Sequence, residues 1–278
     1  MIAWRKSWLR ASPVPCAETR RGVIATSRLA SRAAFGGFAL LLLTANAFAA
    51  EPACPPGLPM HLNLPVTRAA IARDLPITVV ALGSSSTEGA GASAPDRTYP
   101  ARLQTLLGAS WPDLNVTVLN RGIGGQLVDS VLPRIDADVV VAHPTLVIWQ
   151  VGTNEALRAM DPGQFDSMVD EGLRRLATVG SDIVLMDYQI APHMPPEAQR
   201  DVYRDIIAKE AKAHGVPLFS RAALMQAWAA ADPTATDMIG ADGLHHSDRG
   251  YACLAASLDL AIVSGAAPKV AAVSVTSK

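Results

Sequence analysis

Two kinds of segment alternate along the chain from Ile77 onward. Short β-branched runs are mostly apolar: ITVVAL (77–82), NVTVLN (115–120), TLVIWQV (145–151), DIVLMDY (182–188) and a brief VPLF (216–219). Unbroken apolar runs rich in β-branched residues predict strands buried on both faces. Between them lie longer stretches with helical spacing. YPARLQTLLGASW opens at Pro100, and QLVDSVLPRIDADVVVAH is interrupted by Pro133. DPGQFDSMVDEGLRRLATVG starts with Asp161 as an N-cap and Pro162 in the first turn, and stops at Gly180. PPEAQRDVYRDIIAKEAKAHG stops at Gly215, and a last helix is expected from about 248 to 263. Strands and helices alternating at this spacing predict an α/β fold, a parallel sheet with helices on both faces. The expected organisation is one domain over 76–266, an arm lying on the surface at 51–75, and a disordered tail at 267–278.

Charge changes the picture at the N-terminus. The 278 residues carry 24 Lys/Arg and 25 Asp/Glu, but seven of the basic residues and only one acid fall within 1–50. The remainder holds 17 basic and 24 acidic residues, a net of −7. An acidic body excludes nucleic acid as a partner, because that needs a clustered basic face. The basic start runs into AAFGGFALLLLTANAFAAE, which reads as an export signal over 1–50 with cleavage after Ala49 or Ala50. An anchor that stays attached is the alternative. The apolar core falls short of the roughly 20 residues a span requires, which favours cleavage and no stable membrane insertion afterwards. The expected location is periplasmic or secreted. Cys54 and Cys253 are then the two cysteines of the exported chain. They are either a disulfide, which an oxidising compartment permits, or two unpaired thiols. The sequence fixes no oligomeric state.

In a parallel sheet, sites form where the strands end, so the loops there are the places to look for chemistry. The first run ends at Gly83 and is followed by Ser84, Ser85, Ser86, Thr87 and Glu88. A serine in such a turn can attack a carbonyl while its N–H helps to bind the resulting oxyanion. Serines and threonines also cap helices, so the turn alone decides nothing. The second run leads into NRGIGGQ, where Gly124 or Gly125 can offer an N–H with no side chain in the way. The third leads into GTNE, where Asn154 can aim its amide into the site or cap the next turn. Near the C-terminus, Asp242 precedes His245 by three residues, the spacing by which a carboxylate can hold one ring nitrogen and leave the other as a base. No histidine, cysteine or acid spacing matches a metal site, so none is expected.

The four segments LGSSSTEG, NRGIGGQ, VGTNEA and DGLHHSDRGY resemble the signature blocks of the SGNH (GDSL-type) hydrolases. The resemblance covers roughly 77–260 and implies a three-layer α/β/α, flavodoxin-like fold with a five-stranded, mostly parallel sheet. It implies an ester hydrolase with no metal and no cofactor. It makes Ser85 the nucleophile, Asp242 and His245 its partners, and Ser85, Gly125 and Asn154 the oxyanion donors. Three positions depart from the pattern. Ser84 stands where aspartate is usual, Glu155 where aspartate commonly follows the asparagine, and His246 where proline often follows the base.

The loops AGASAPDRTYP and YQIAPHMPPEAQ carry no long apolar lid, and aromatic residues are 5% of the chain. These features favour a short acyl group, such as acetyl on a sugar or envelope polymer. The alternatives are an O-acyltransferase, a lysophospholipase or thioesterase with the same site, and an inactive carbohydrate-binding protein.

Overall fold

A computed structural model describes residues 53–268. The expected export signal and all but the first two residues of the expected tail lie outside the described residues. The elements run α1 (Pro65–Ile71), β1 (Ile77–Gly83), α2 (Ser85–Glu88), α3 (Tyr99–Ser110), β2 (Val116–Gly122), α4 (Val128–Val131), α5 (Ile135–Asp138), β3 (Leu146–Gln150), α6 (Thr153–Leu157), α7 (Pro162–Ala177), β4 (Asp182–Met186), α8 (Glu197–Ala213), β5 (Leu218–Phe219), α9 (Arg221–Ala231) and α10 (Asp248–Ala266). Among the described residues no helix is long and apolar enough to cross a membrane.

The sheet order is β2-β1-β3-β4-β5, and every pairing is parallel. Successive strand residues point to opposite faces. Val79 and Ala81 therefore enter one core with Leu103, Leu107, Leu254 and Leu258 from α3 and α10. Val80 and Leu82 enter the other with Phe165, Leu173 and Ile207 from α7 and α8. The two apolar layers explain why β1, β3 and β4 read as unbroken hydrophobic runs.

Within the segment expected to lie on the surface, residues 53–75 are mostly exposed but anchored at a few points. Leu62 and Leu64 are buried, and α1 docks on the start of β4. The Asp182 carboxylate accepts hydrogen bonds from the Val66 N–H at 3.1 Å and from the Thr67 N–H and hydroxyl at 2.7 and 2.8 Å. A carboxylate can replace the intrahelical acceptors that the first turn of a helix lacks. The segment expected to be one interrupted helix around Pro133 is broken into the single turns α4 and α5. The last helix is capped by the Ser247 hydroxyl, which accepts from the Gly250 N–H at 3.1 Å, and continues to Ala266.

A disulfide joins Cys54 to Cys253, with the Cα atoms 5.4 Å apart. It closes a sequence separation of 199 residues and fastens the N-terminal segment to the buried face of α10. Cross-linking so distant a pair restricts the unfolded chain strongly. Cys54→Ser should lower the unfolding free energy by about 2–4 kcal/mol in denaturant titration. The protein lacking residues 1–50, and with them Cys16, should show no free thiol; an unchanged midpoint in the variant, or two titratable thiols, would contradict the cross-link.

Candidate active site

β1 lies between β2 and β3, so the chain leaves the ends of β1 and β3 toward opposite sides. This is the switch point at which open α/β sheets form their crevices. Ser85 occupies the first position of α2, directly beyond β1. Its N–H has no intrahelical acceptor, as for every residue in a helix's first turn. Asn154 lies in α6, directly beyond β3.

The C-terminal loop reaches this point from α10. The Asp242 carboxylate accepts from the N–H groups of Leu244 and His245, both at 3.0 Å, and from His245 Nδ1 at 2.5 Å. His245 Nε2 lies 2.9 Å from the Ser85 hydroxyl, which can donate to it. Partial burial pushes the Asp242 carboxyl upward, but the ring hydrogen bond and the two backbone N–H groups outweigh this and bring it down to about 2. Its ionised form therefore persists throughout the neutral range. The sign follows for stability too: the clasp contributes fully above the ordinary carboxylate range and is lost as the pH falls toward 2.

Two further bonds tie the start of α10 to the loop that follows α2. Tyr251 OH donates to the Ala90 carbonyl at 2.6 Å, and the Ser93 N–H donates to Asp248 at 2.8 Å. Gly91 makes the approach feasible. It has φ +87°, and a Cβ there would lie 2.7 Å from the His246 carbonyl oxygen and 2.9 Å from the His245 Cβ.

The adjacent hydroxyls and the adjacent histidine point elsewhere. Ser86 is buried, and its hydroxyl donates to Gln189 Oε1 at 3.3 Å. His246 is fully buried, with Nδ1 3.2 Å from the Met238 carbonyl and its ring edge-on to Tyr251. Burial, reinforced by the Arg221 charge, pushes its pKa down to about 3.

The two remaining loops meet beside Ser85. A Cβ placed on Gly124 would come within 4.0 Å of the Ser85 Cβ. Gly125 has φ +72°, and its N–H has no acceptor among the described residues. The Asn154 amide donates one N–H to the Gln126 carbonyl at 2.8 Å, which leaves its second N–H. Glu155 clips the two loops together. Its carboxylate accepts from the Val128 N–H at 2.7 Å and the Gly152 N–H at 2.9 Å. Its burial raises its pKa, and these hydrogen bonds offset part of that rise. The glutamate that departs from the block pattern thus has a structural task.

Sequence reasoning missed the support under the serine turn. Gln150, the last residue of β3, accepts at Oε1 from the Ser84 N–H at 3.0 Å, the Ser84 hydroxyl at 3.2 Å and the Thr87 hydroxyl at 3.3 Å. Its Nε2 donates to the Thr153 hydroxyl at 3.3 Å. An amide from the neighbouring strand therefore holds a turn in which Ser84 replaces the usual aspartate. Arg134 fastens the same strand end, donating to the Gly83 carbonyl at 2.9 Å and the Arg121 carbonyl at 2.8 Å. Both residues read in sequence as ordinary polar positions, and no local signal marks them.

If Ser85 attacks esters, as the resemblance implies, and Gln150 sets the angle of the serine turn, Gln150→Ala should lower kcat on an aryl acetate about tenfold or more, with a smaller change in KM. Gln150→Glu keeps an acceptor and should retain more activity. Steady-state kinetics on folded protein check this; equal losses in the two variants would contradict the role.

Known proteins resemble this chain in sequence and in fold. The sequence model of the non-GDSL lipase-like family matches residues 53–268. Esterase TesA of Pseudomonas aeruginosa is 30% identical over 105 residues, 37% of this chain and 52% of that protein. An acetylxylan esterase of Geobacillus stearothermophilus is 34% identical over 80 residues, 28% of this chain and 36% of its own length. The chain thus spans about half or less of the length of these curated relatives. Among solved structures, a two-domain esterase active on acetylated mannans superposes with a TM-score of 0.63 at 20% identity, covering 75% of this chain and 56% of that one. The TesA crystal structure gives 0.56 at 20% identity, covering 67% and 99%. These structural likenesses show the same fold. With all of the described residues matched by one family, and with Ser84 in place of the aspartate that gives GDSL proteins their name, the chain belongs to the non-GDSL lipase-like family of SGNH/GDSL-type hydrolases.

Proposed function

We propose that the protein is a serine ester hydrolase acting on short-chain, acetyl-type esters, with sugars or envelope polymers as the alcohol. The reading rests above all on the relay Asp242–His245–Ser85, in which consecutive hydrogen bonds of 2.5 and 2.9 Å link a carboxylate, an imidazole and a hydroxyl.

In the mechanism that follows, Asp242 fixes the tautomer of His245 with the proton on Nδ1. Nε2 takes the Ser85 proton as the oxygen attacks the ester carbonyl. The carbonyl π bond opens, and the negative charge collects on its oxygen. The N–H groups of Ser85 and Gly125 and the spare Asn154 N–H are the donors assigned to that oxyanion. One such donor typically contributes roughly 3–4 kcal/mol to lowering the barrier. The tetrahedral centre then expels the alkoxide, which takes the proton from His245 and leaves as the alcohol. A water, deprotonated by the same nitrogen, attacks the acyl-serine; the acyl–oxygen bond then breaks, Ser85 recovers the proton from His245, and the carboxylic acid leaves. His246 has no part in these steps, because its ring is buried away from Ser85.

The preference for a short acyl group is supported by the small residues of the 89–94 loop beside α2. Two relatives bear names that fit acetylated glycans: the acetylxylan esterase and the esterase active on acetylated mannans. An exported protein would meet such polymers.

On an aryl acetate, Ser85→Ala should lower kcat/KM by about 10⁴-fold or more. Ser84→Ala and Ser86→Ala, which lose hydrogen bonds behind the turn, should keep at least about a tenth of wild-type activity. Comparable losses in all three would show that the nucleophile is wrongly assigned.

A further inference from the structure

The rim of the site holds a cation that the fold does not use. Among the described residues, Arg73 and Arg158 are the arginines whose side chains make neither a hydrogen bond nor an ion pair. Arg73 follows α1 and precedes β1, so it lies toward the opposite edge of the sheet. Arg158 stands at the C-terminal cap of α6, one turn beyond Asn154, and its backbone N–H donates to the Asn154 carbonyl at 2.9 Å. Its side chain is exposed. A Cβ on Gly125 would lie 3.5 Å from Arg158 Nη2, and one on Gly124 would lie 4.0 Å from the Ser85 Cβ. The guanidinium thus borders Gly125, and the neighbouring Gly124 borders Ser85.

The other side of this loop carries the opposite charge. Glu88 is exposed at the end of α2, and its Oε2 would lie 2.8 Å from a Cβ on Gly124. A ligand entering over the glycines meets a carboxylate on one flank and a guanidinium on the other. A neutral ester has no use for that asymmetry. An ester that also carries a carboxylate is repelled on the Glu88 side and held on the Arg158 side, in a planar fork that suits a carboxylate. The body of the protein is acidic, so a local cation favours the approach of such a substrate.

We propose that Arg158 forms an anion subsite, and that the preferred substrates are esters bearing a carboxylate close to the scissile bond. This rests on the esterase reading of the same site. The carboxylate can belong to the alcohol, as in an O-acetylated uronic acid, or to the acyl group, as in a dicarboxylic half-ester.

The test is a ratio of kcat/KM values within two matched pairs. O-acetylgalacturonic acid is compared with O-acetylgalactose, and mono-4-nitrophenyl succinate with 4-nitrophenyl butyrate. In at least one pair the wild type should favour the anionic member by about tenfold at low salt, with the preference shrinking as salt is added. The pair that shows it identifies the side of the ester that carries the charge. Arg158→Gln should bring that ratio close to one, Arg158→Glu should invert it, and Arg158→Lys should keep part of it. Because the readout is a ratio, a change in overall rate does not affect it. No anionic preference in either pair, or a preference that survives Arg158→Gln, would overturn the subsite. If the wild type cleaves none of the four esters, the esterase reading fails by itself. The subsite is then read from calorimetric affinities for galacturonate and galactose, and equal affinities, or an Arg158→Gln variant that binds galacturonate as the wild type does, would overturn it.

Discussion

All five strands run in one direction, and this constraint decides where chemistry can occur. Every strand releases its chain at the same rim, which brings Ser85, Gly125 and Asn154 there, and the segment between α9 and α10 carries His245 to the same place. Ser85 and His245 are separated by 160 positions, yet their polar atoms lie 2.9 Å apart. The order β2-β1-β3 adds the crevice, because the loops from β1 and β3 diverge at that point. Reversing a single strand would remove its loop from the rim and leave the remaining parts without a site.

The rim must also be stiff, and polar groups under it supply this. Gln150 holds the serine turn, Glu155 joins the loops that follow β2 and β3, and Arg134 fixes the end of β1. Below them, Thr153 and Gln189 continue the network, and the buried Arg221 donates to the Thr153 hydroxyl and to the Asp187 carbonyl. Buried polar groups of this kind are costly unless paired, and once paired they fix one arrangement of the backbone. The Ser84 substitution fits this picture. A short hydroxyl replaces a carboxylate, and an amide from β3 reaches across to accept the turn's N–H.

Some of this was legible in the sequence and some was not, for identifiable reasons. The central strands β1, β3 and β4 were legible because burial on both faces leaves few polar residues to blur the runs. The α7 helix was legible because Asp161 caps it and its apolar stripe is regular. The α9 helix was not anticipated: RAALMQAWAAA is almost uniformly apolar, so its periodicity carries little contrast. The docking of α1 was hidden because its anchor, Asp182, lies 115 residues away from Thr67 and reads locally as the first residue of a strand. At the site, Ser85, Gly125, Asn154, Asp242 and His245 stood in recognisable loops, and the fold brings those loops together. Gln150 and Arg134 were invisible because their roles exist only once three chain segments have met.

The central claim is that Ser85 attacks an acyl carbon whose oxygen is received by backbone and amide N–H groups on the same rim. A crystal structure of the protein inactivated by an alkyl fluorophosphonate tests it most directly. The account predicts phosphorus bonded to the Ser85 oxygen, with the phosphonyl oxygen within hydrogen-bonding distance of the Ser85 and Gly125 N–H groups and the Asn154 amide. Phosphorus on another residue, or a phosphonyl oxygen turned away from all three donors, would contradict it.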